Sequence, residues 1–328
     1  MKTSMKTSFL ATLFAATLTG AAGAGAPVVA IMSHPHNSTH EFIAHSYVKW
    51  LEMAGASSVR IPFTASDAEI DKIVENTNGF LFMGGAPSLP ESARYLYKQA
   101  IALQEDTPYA MWGTCLGFQW LTELVADSTH VLTSGFDSEN ISLALNLTDN
   151  AADSRLYNHN GLIELVSEND VTMNNHQAGV KPEKIADNEG KAPADCASHK
   201  HARLAPGDLT QSVPDFVVLS TNMDRQGVEF VSSWEHSTLP IFATQYHPEK
   251  SNFEYAVSSD GTPYEAIDHS VEGTRYSFEL AMFFVAEARK SGERYDGVKS
   301  GLKTIEEENE GSLHGEGFED SILFKVGN

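Results

Sequence analysis

Residues 109–121 read YAMWGTCLGFQWL. Tyr109–Trp112 is a short apolar run of strand type, and Leu116–Val125 carries helical spacing, with almost no loop between them. The join is Gly113-Thr114-Cys115-Leu116-Gly117, a Gly-x-Cys-x-Gly pattern. A strand that turns directly into a helix forces its central residue into a sharp bend, and the flanking glycines let neighbouring backbone approach. Cys115 then stands above the sheet at a helix N-terminus, whose dipole favours a thiolate. The Leu116 amide can point at a developing oxyanion. A lone cysteine between apolar neighbours can also be a small packing hydrophobe, so this stretch leaves both roles open.

Working outward, the same strand–helix alternation repeats. Strands are predicted at Pro27–Met32, Ser58–Pro62 and Gly79–Met83, and helices at Glu41–Ala54, Asp67–Glu75 and Pro90–Gln104. Short buried-type strands alternating with helices predict an α/β fold, a doubly wound and mostly parallel sheet with helices on both faces. Downstream, Asp127–Asn150 has strand-like alternation and Gly161–Val166 reads as a further strand. Phe216–Ser220, Gly227–Trp234 and Ile241–Tyr246 are three more, and Thr274–Lys290 is an amphipathic helix. Lys181–Pro214 is polar and rich in Pro and Gly, and is expected to be a surface insertion within a catalytic domain spanning 25–295. Residues 296–328, with the acidic run EEENE, are expected to be a loosely held tail.

Two further motifs fall at predicted strand ends. Gln245-Tyr246-His247-Pro248-Glu249-Lys250 follows one strand. In extended backbone residues i and i+2 share a face, so Glu249 can hold one ring nitrogen of His247 while the other faces the thiol. Met83-Gly84-Gly85-Ala86-Pro87-Ser88 follows another, where a glycine amide can turn inward to an oxyanion. Each motif has an ordinary turn as its alternative. In a doubly wound sheet, however, ligands bind beyond the carboxyl ends of the strands, and all three motifs fall there.

The formal charge of −22 over 328 residues argues against nucleic acid or an anionic membrane surface as partner. Lys2 and Lys6 precede an apolar run from Phe9 to Leu18 and small residues around Ala22-Gly23-Ala24, which reads as a signal peptide over 1–24. Sequons at Asn37, Asn140 and Asn146 agree with a secretory route. Two cysteines, Cys115 and Cys196, make no disulfide scaffold.

With these residues in view, the chain resembles the gamma-glutamyl hydrolases, relatives of the class I glutamine amidotransferase domains. The resemblance rests on YVKWLEMAGASSVRIPF, GFLFMGGAPS, WGTCLGF, the NNHQ around His176, VLSTNMDRQGVEFVS and QYHPEK, and covers most of Pro27 to Gly292. It implies a flavodoxin-like sheet, Cys115 as nucleophile, His247 as base and then acid, and Glu249 as its orienter. It further implies Gly85 and Leu116 as oxyanion amides, His176 at the substrate or beside the thiol, and Tyr47 lining the pocket. The implied substrate is a small molecule or peptide with gamma-linked glutamates, in a vacuole-like or extracellular compartment, with a homodimer as the possible assembly.

Neither metal nor organic cofactor is expected, since a thiolate is intrinsically nucleophilic. A polyanionic substrate calls for a local basic site, for which Arg225, Lys250, Lys49 and protonated His176 are candidates, giving tighter binding at mildly acid pH. Two rival functions stay open. One is a glutaminase acting on free glutamine; the other is a non-catalytic secreted binding protein, with His34, His36, His40 and His45 as potential metal ligands.

Overall fold

A computed structural model describes residues 25–186, 216–292, 294–295, 300–315 and 318–326. The predicted signal peptide, most of the predicted insertion and Cys196 lie outside them.

In chain order the first half runs β1 (Val28–Met32), β2 (His34–Pro35), β3 (His40–Ala44), α1 (His45–Met53), β4 (Ser57–Ile61), α2 (Asp67–Asn76), β5 (Gly79–Phe82), α3 (Glu91–Leu103), β6 (Ala110–Thr114) and α4 (Leu116–Ala126). Then follow β7 (Leu132–Leu143), β8 (Asn146–Leu147), α5 (Leu162–Glu168), β9 (Thr172–Val180), α6 (Pro182–Ala186), β10 (Phe216–Met223), β11 (Glu229–His236) and β12 (Ile241–Thr244). The chain closes with α7 (Lys250–Phe253), α8 (Val271–Arg289), α9 (Ile305–Glu308), β13 (Ser312–Leu313) and β14 (Ser321–Lys325).

The main sheet has the order β4-β1-β5-β6-β12-β11-β10-β8. Its first five strands are parallel and the last three antiparallel. The period-2 alternation of strand side chains divides the core in two. Val29 and Ile31 of β1, Leu81 of β5 and Trp112 of β6 join Trp50, Tyr276 and Phe284 under α1 and α8. Val28, Ala30 and Met32, Phe80 and Phe82, and Met111 join Ile70, Leu96 and Trp120 under α2, α3 and α4. Both faces of β1 and β5 are buried, which is why these strands read as continuous apolar runs.

Three expectations are corrected. The predicted helix from Glu41 begins only at His45, because residues 40–44 are strand-paired with β14 from the C-terminal segment. Gly161–Val166 is not a strand: α5 starts at Leu162 and buries Leu162, Leu165 and Val166 at the i, i+3, i+4 spacing of a helix face. The C-terminal segment is not loosely held. Ile305, Ile322 and Phe324 are buried, a Thr304–Glu307 capping box starts α9, and Glu308 of the acidic run receives the Arg60 Nε–H at 2.9 Å.

Candidate active site

β5, β6 and β12 are adjacent in the sheet, and the three motifs sit at their carboxyl ends. At the end of β6, Cys115 has φ 53° and ψ −105°, outside the regions non-glycine residues favour. The glycines of the motif are needed for contact. A β-carbon on Gly117 would fall 2.0 Å from the Phe82 carbonyl oxygen, and one on Gly113 would fall 2.4 Å from the Gly117 oxygen. The elbow is also pinned from the neighbouring strand, since the Cys115 N–H donates to the Thr244 oxygen at 2.9 Å. The thiol is left 5% exposed at the start of α4, with Leu116 as the helix's first residue.

From the end of β12 the chain places His247 beside the thiol. Its N–H donates to the Met173 oxygen at 2.8 Å, and its Nδ1 lies 2.7 Å from Glu249 Oε1, with Glu249 fully buried. Residues 247–249 turn rather than extend, and Glu249 is helical in backbone, so the contact arises from a tight turn and not from the predicted strand alternation. Burial pulls the His247 imidazolium down, but the Glu249 carboxylate and the Cys115 thiolate outweigh it and hold the ring up to about 10. His247 therefore carries its proton through neutral pH, poised to deliver it.

Gly84 is enclosed by this group. A β-carbon there would meet His247 Cε1 at 2.6 Å, Tyr47 Oη at 3.0 Å and Cys115 Cβ at 3.4 Å. Tyr47, expected to line the pocket, stands beside this group. It is fully buried on α1, its hydroxyl accepts the Gly84 N–H at 2.8 Å, and the same oxygen lies 3.4 Å from His247 Nδ1. The Gly84 amide is thus engaged by the Tyr47 hydroxyl. Replacing Tyr47 with Phe strands the buried Gly84 N–H. We expect kcat to fall about tenfold with KM little changed, within the range for a disturbed oxyanion site; steady-state kinetics on a gamma-glutamyl peptide would check it.

His176 lies on β9, the strand that also brings the Asn175 carbonyl oxygen to 4.0 Å from the Cys115 sulfur. Its Nδ1 bonds the Ala178 oxygen at 3.0 Å, its ring packs edge-on to Phe230, and its Nε2 is buried without a hydrogen-bond partner among the described residues. Burial, aided by the charge of His247, pushes its pKa down to about 4. His176 is consequently neutral at mildly acid pH, which removes it from the basic-site candidates. Of the others, Arg225 bonds Asp137 at 3.1 Å, Lys250 is buried against Glu265, and Lys49 lies near enough to Asp320 to stabilise its charge.

The histidines near the N-terminus do not converge. His45 bonds Asp320, His40 bonds Thr39, and His34 is buried among Phe42, Phe63 and Trp120. Among the described residues no group of three or more His, Cys, Asp or Glu side chains is placed to hold a metal. His34 instead backs the Gly84–Gly85 turn, where a Gly85 β-carbon would fall 2.5 Å from its Nδ1. A second residue missed by motif reading is Phe318, which stands 6.3 Å from the His247 ring and 6.0 Å from Tyr47, centroid to centroid. Nothing local in the sequence ties Phe318 to His247, because the contact depends on the β14–β3 pairing.

The chain matches the family model for class-I glutamine amidotransferases over residues 39–257. Relatives at full-domain scale include mouse gamma-glutamyl hydrolase, 32% identical over 78% of this chain and 74% of its own. Gamma-glutamyl hydrolase B of Dictyostelium discoideum is 31% identical over 85% and 77%, and human gamma-glutamyl hydrolase 30% over 77% and 73%. A buried thiol at a strained elbow, a protonated histidine fixed by a buried carboxylate, and these matches agree: the chain belongs to the gamma-glutamyl hydrolase family, on the class-I glutamine amidotransferase fold.

Proposed function

We propose that the protein hydrolyses gamma-glutamyl amide bonds of folate poly-gamma-glutamates or related gamma-glutamyl peptides through a thioester on Cys115. The observation that carries this reading is the Cys115 elbow beside the buried His247–Glu249 pair. Cys115 attacks the gamma-carbonyl and the Leu116 and Gly85 amides receive the oxyanion. His247 gives its proton to the departing amine, whose C–N bond breaks as the thioester forms. Now neutral, His247 takes a proton from water, which attacks the thioester and releases the gamma-carboxylate and the thiol. Glu249 holds the ring in place through both steps. The buried His176 Nε2, which accepts because Nδ1 carries the proton toward Ala178, has no partner among the described residues and is a polar group a glutamyl head would use.

The sequons fall on exposed asparagines, and no helix of the described residues is long and apolar enough to cross a membrane. With the sequence-predicted leader, these support a secretory route ending in a vacuole-like compartment or outside the cell. The test is a direct comparison of purified protein on a gamma-glutamyl oligomer and on free glutamine, with intact-mass detection of a Cys115 thioester. Cleavage of the oligomer with glutamine turned over at least about 100-fold less efficiently is expected. Ammonia release from glutamine as the faster reaction would replace this reading with a glutaminase.

A further inference from the structure

Three consecutive residues of the C-terminal segment, Phe318, Glu319 and Asp320, reach three different parts of the catalytic neighbourhood. The Phe318 ring stands 6.3 Å from His247 and 6.0 Å from Tyr47, centroid to centroid, and Lys250 Nζ stands 4.7 Å from its centre. The Glu319 carboxylate accepts the Tyr255 N–H at 2.7 Å, and the Glu319 N–H donates to the buried Glu254 at 2.5 Å. Asp320 is held twice by the first residue of α1. Its backbone oxygen accepts the His45 N–H at 2.9 Å, and its carboxylate lies 2.9 Å from His45 Nδ1.

The segment is anchored on either side of Phe318. Before it, Thr304 bridges to Val59 and Glu308 receives Arg60; after it, Ser321–Lys325 pairs antiparallel with His40–Ala44. With the backbone ordered by these anchors, seating the ring costs only its side-chain freedom. Phe318 is half-buried, whereas His247 beneath it is 4% exposed, the arrangement of an apolar cover over a polar pair.

The titratable groups that face His247 come from several elements: Glu249 from its own turn, Cys115 from the elbow, Tyr47 from α1 and His176 from β9. Lys250 stands over the covering ring. Glu249 and Cys115 hold the imidazolium by charge and hydrogen bonding, and that hold is strong only where water does not screen it.

We propose that Phe318 is a positioning residue for the catalytic base: the C-terminal segment seats its ring on His247, keeps water from the His247–Glu249 pair and holds the imidazole toward Cys115. The effect on turnover rests on the hydrolase reading; the titration of His247 does not. Three variants separate the parts. Phe318→Ala opens this side, Phe318→Leu refills it with apolar volume, and Glu319→Ala loosens the segment without touching the ring. In Phe318→Ala, kcat on a gamma-glutamyl peptide should fall about tenfold with KM within about twofold. The alkaline limb of its kcat/KM profile should move toward neutral by about one pH unit, because water returns an imidazole toward its ordinary value. Leucine should restore most of both, and Glu319→Ala should move both in the same direction by less.

The second readout is the His247 titration in the free protein, followed by NMR on histidine-labelled material with His247→Gln as the assignment control. Its transition should fall in Phe318→Ala by the same amount as the alkaline limb. A lower melting temperature with the kcat/KM profile and the titration unmoved makes Phe318 a packing residue only and overturns the proposal, as does a loss that leucine does not recover. Should Phe318→Ala not fold, Glu319→Ala carries the same test, and an unmoved His247 transition there overturns the proposal too. Should the wild type cleave nothing while Phe318→Ala still lowers the His247 transition, the hydrolase reading fails and the positioning role stands.

Discussion

Replacing Cys115 with alanine lowers gamma-glutamyl hydrolysis by about 10⁴-fold or more, the scale at which a nucleophile's loss removes the covalent route and leaves only binding and oxyanion stabilisation. The loss is chemical and not structural. Cys115 is small and buried, alanine keeps its β-carbon in the same strained elbow, and the N–H bond to Thr244 is unchanged. The melting temperature should therefore move little, by the equivalent of about 1 kcal/mol at most for one small buried group. Serine at the same position should be nearly as inactive, since a hydroxyl is far more basic than a thiol and does not supply an ionised nucleophile at neutral pH. Steady-state rates on a gamma-glutamyl peptide, with a melting curve beside each variant, check both halves. A folded Cys115→Ala variant retaining more than about 1% of wild-type turnover would exclude the thioester scheme.

Residues that make their contacts locally were legible in the sequence. The strand–elbow–helix at Cys115 is spelled by neighbours two positions apart, and the glycines appear there because backbone from β5 and α4 comes within contact distance. His247 and Glu249 were legible for the same reason, although a turn and not a strand brings them together. What was not legible depends on pairing across the whole chain. Phe42 and Ile43 continue a plausible helical pattern into α1, and only β14, nearly 280 residues later, makes them a strand. Phe318 and Glu319 reach the site through that same pairing. Leu162–Val166 is a short apolar run that strand and helix templates fit equally, and tertiary packing decided for the helix. The charge of His176 was misjudged because a polar sequence neighbourhood, NNHQ, gives no sign that Phe136 and Phe230 enclose the ring.

That enclosure has a consequence for acid stability. His34, His176 and His236 are all buried neutral: burial pushes their pKa values down to about 3, 4 and 4, and His236 Nδ1 is further occupied by the N–H groups of Thr238 and Leu239. In the unfolded chain each takes up a proton near 6.5, whereas the folded chain binds none until about pH 4 or below. Between those values the unfolded state holds more protons, so stability falls as pH drops through that window. Each histidine contributes about 2 kcal/mol of loss from pH 7 to pH 5, or about 6 kcal/mol together. His247, held up to about 10, and Glu123 and Glu254, whose carboxyls burial pushes upward, act in the opposite direction and offset part of it.

We therefore expect the melting temperature to drop by on the order of 10 °C between pH 7 and pH 5, followed by calorimetry at fixed ionic strength. His236→Asn should make the slope shallower by about a third, because asparagine does not titrate and its side-chain oxygen can accept the same two N–H groups. A melting temperature that is flat or rises toward pH 5 would show that the three rings are not held neutral. The formal charge of −22 suggests ease in an acidic compartment, yet the buried histidines set the opposite limit. If the protein works at pH 5, bound substrate or bound partner must supply the missing stability, and the pH-dependent melting shift should shrink when a saturating gamma-glutamyl ligand is added to Cys115→Ala.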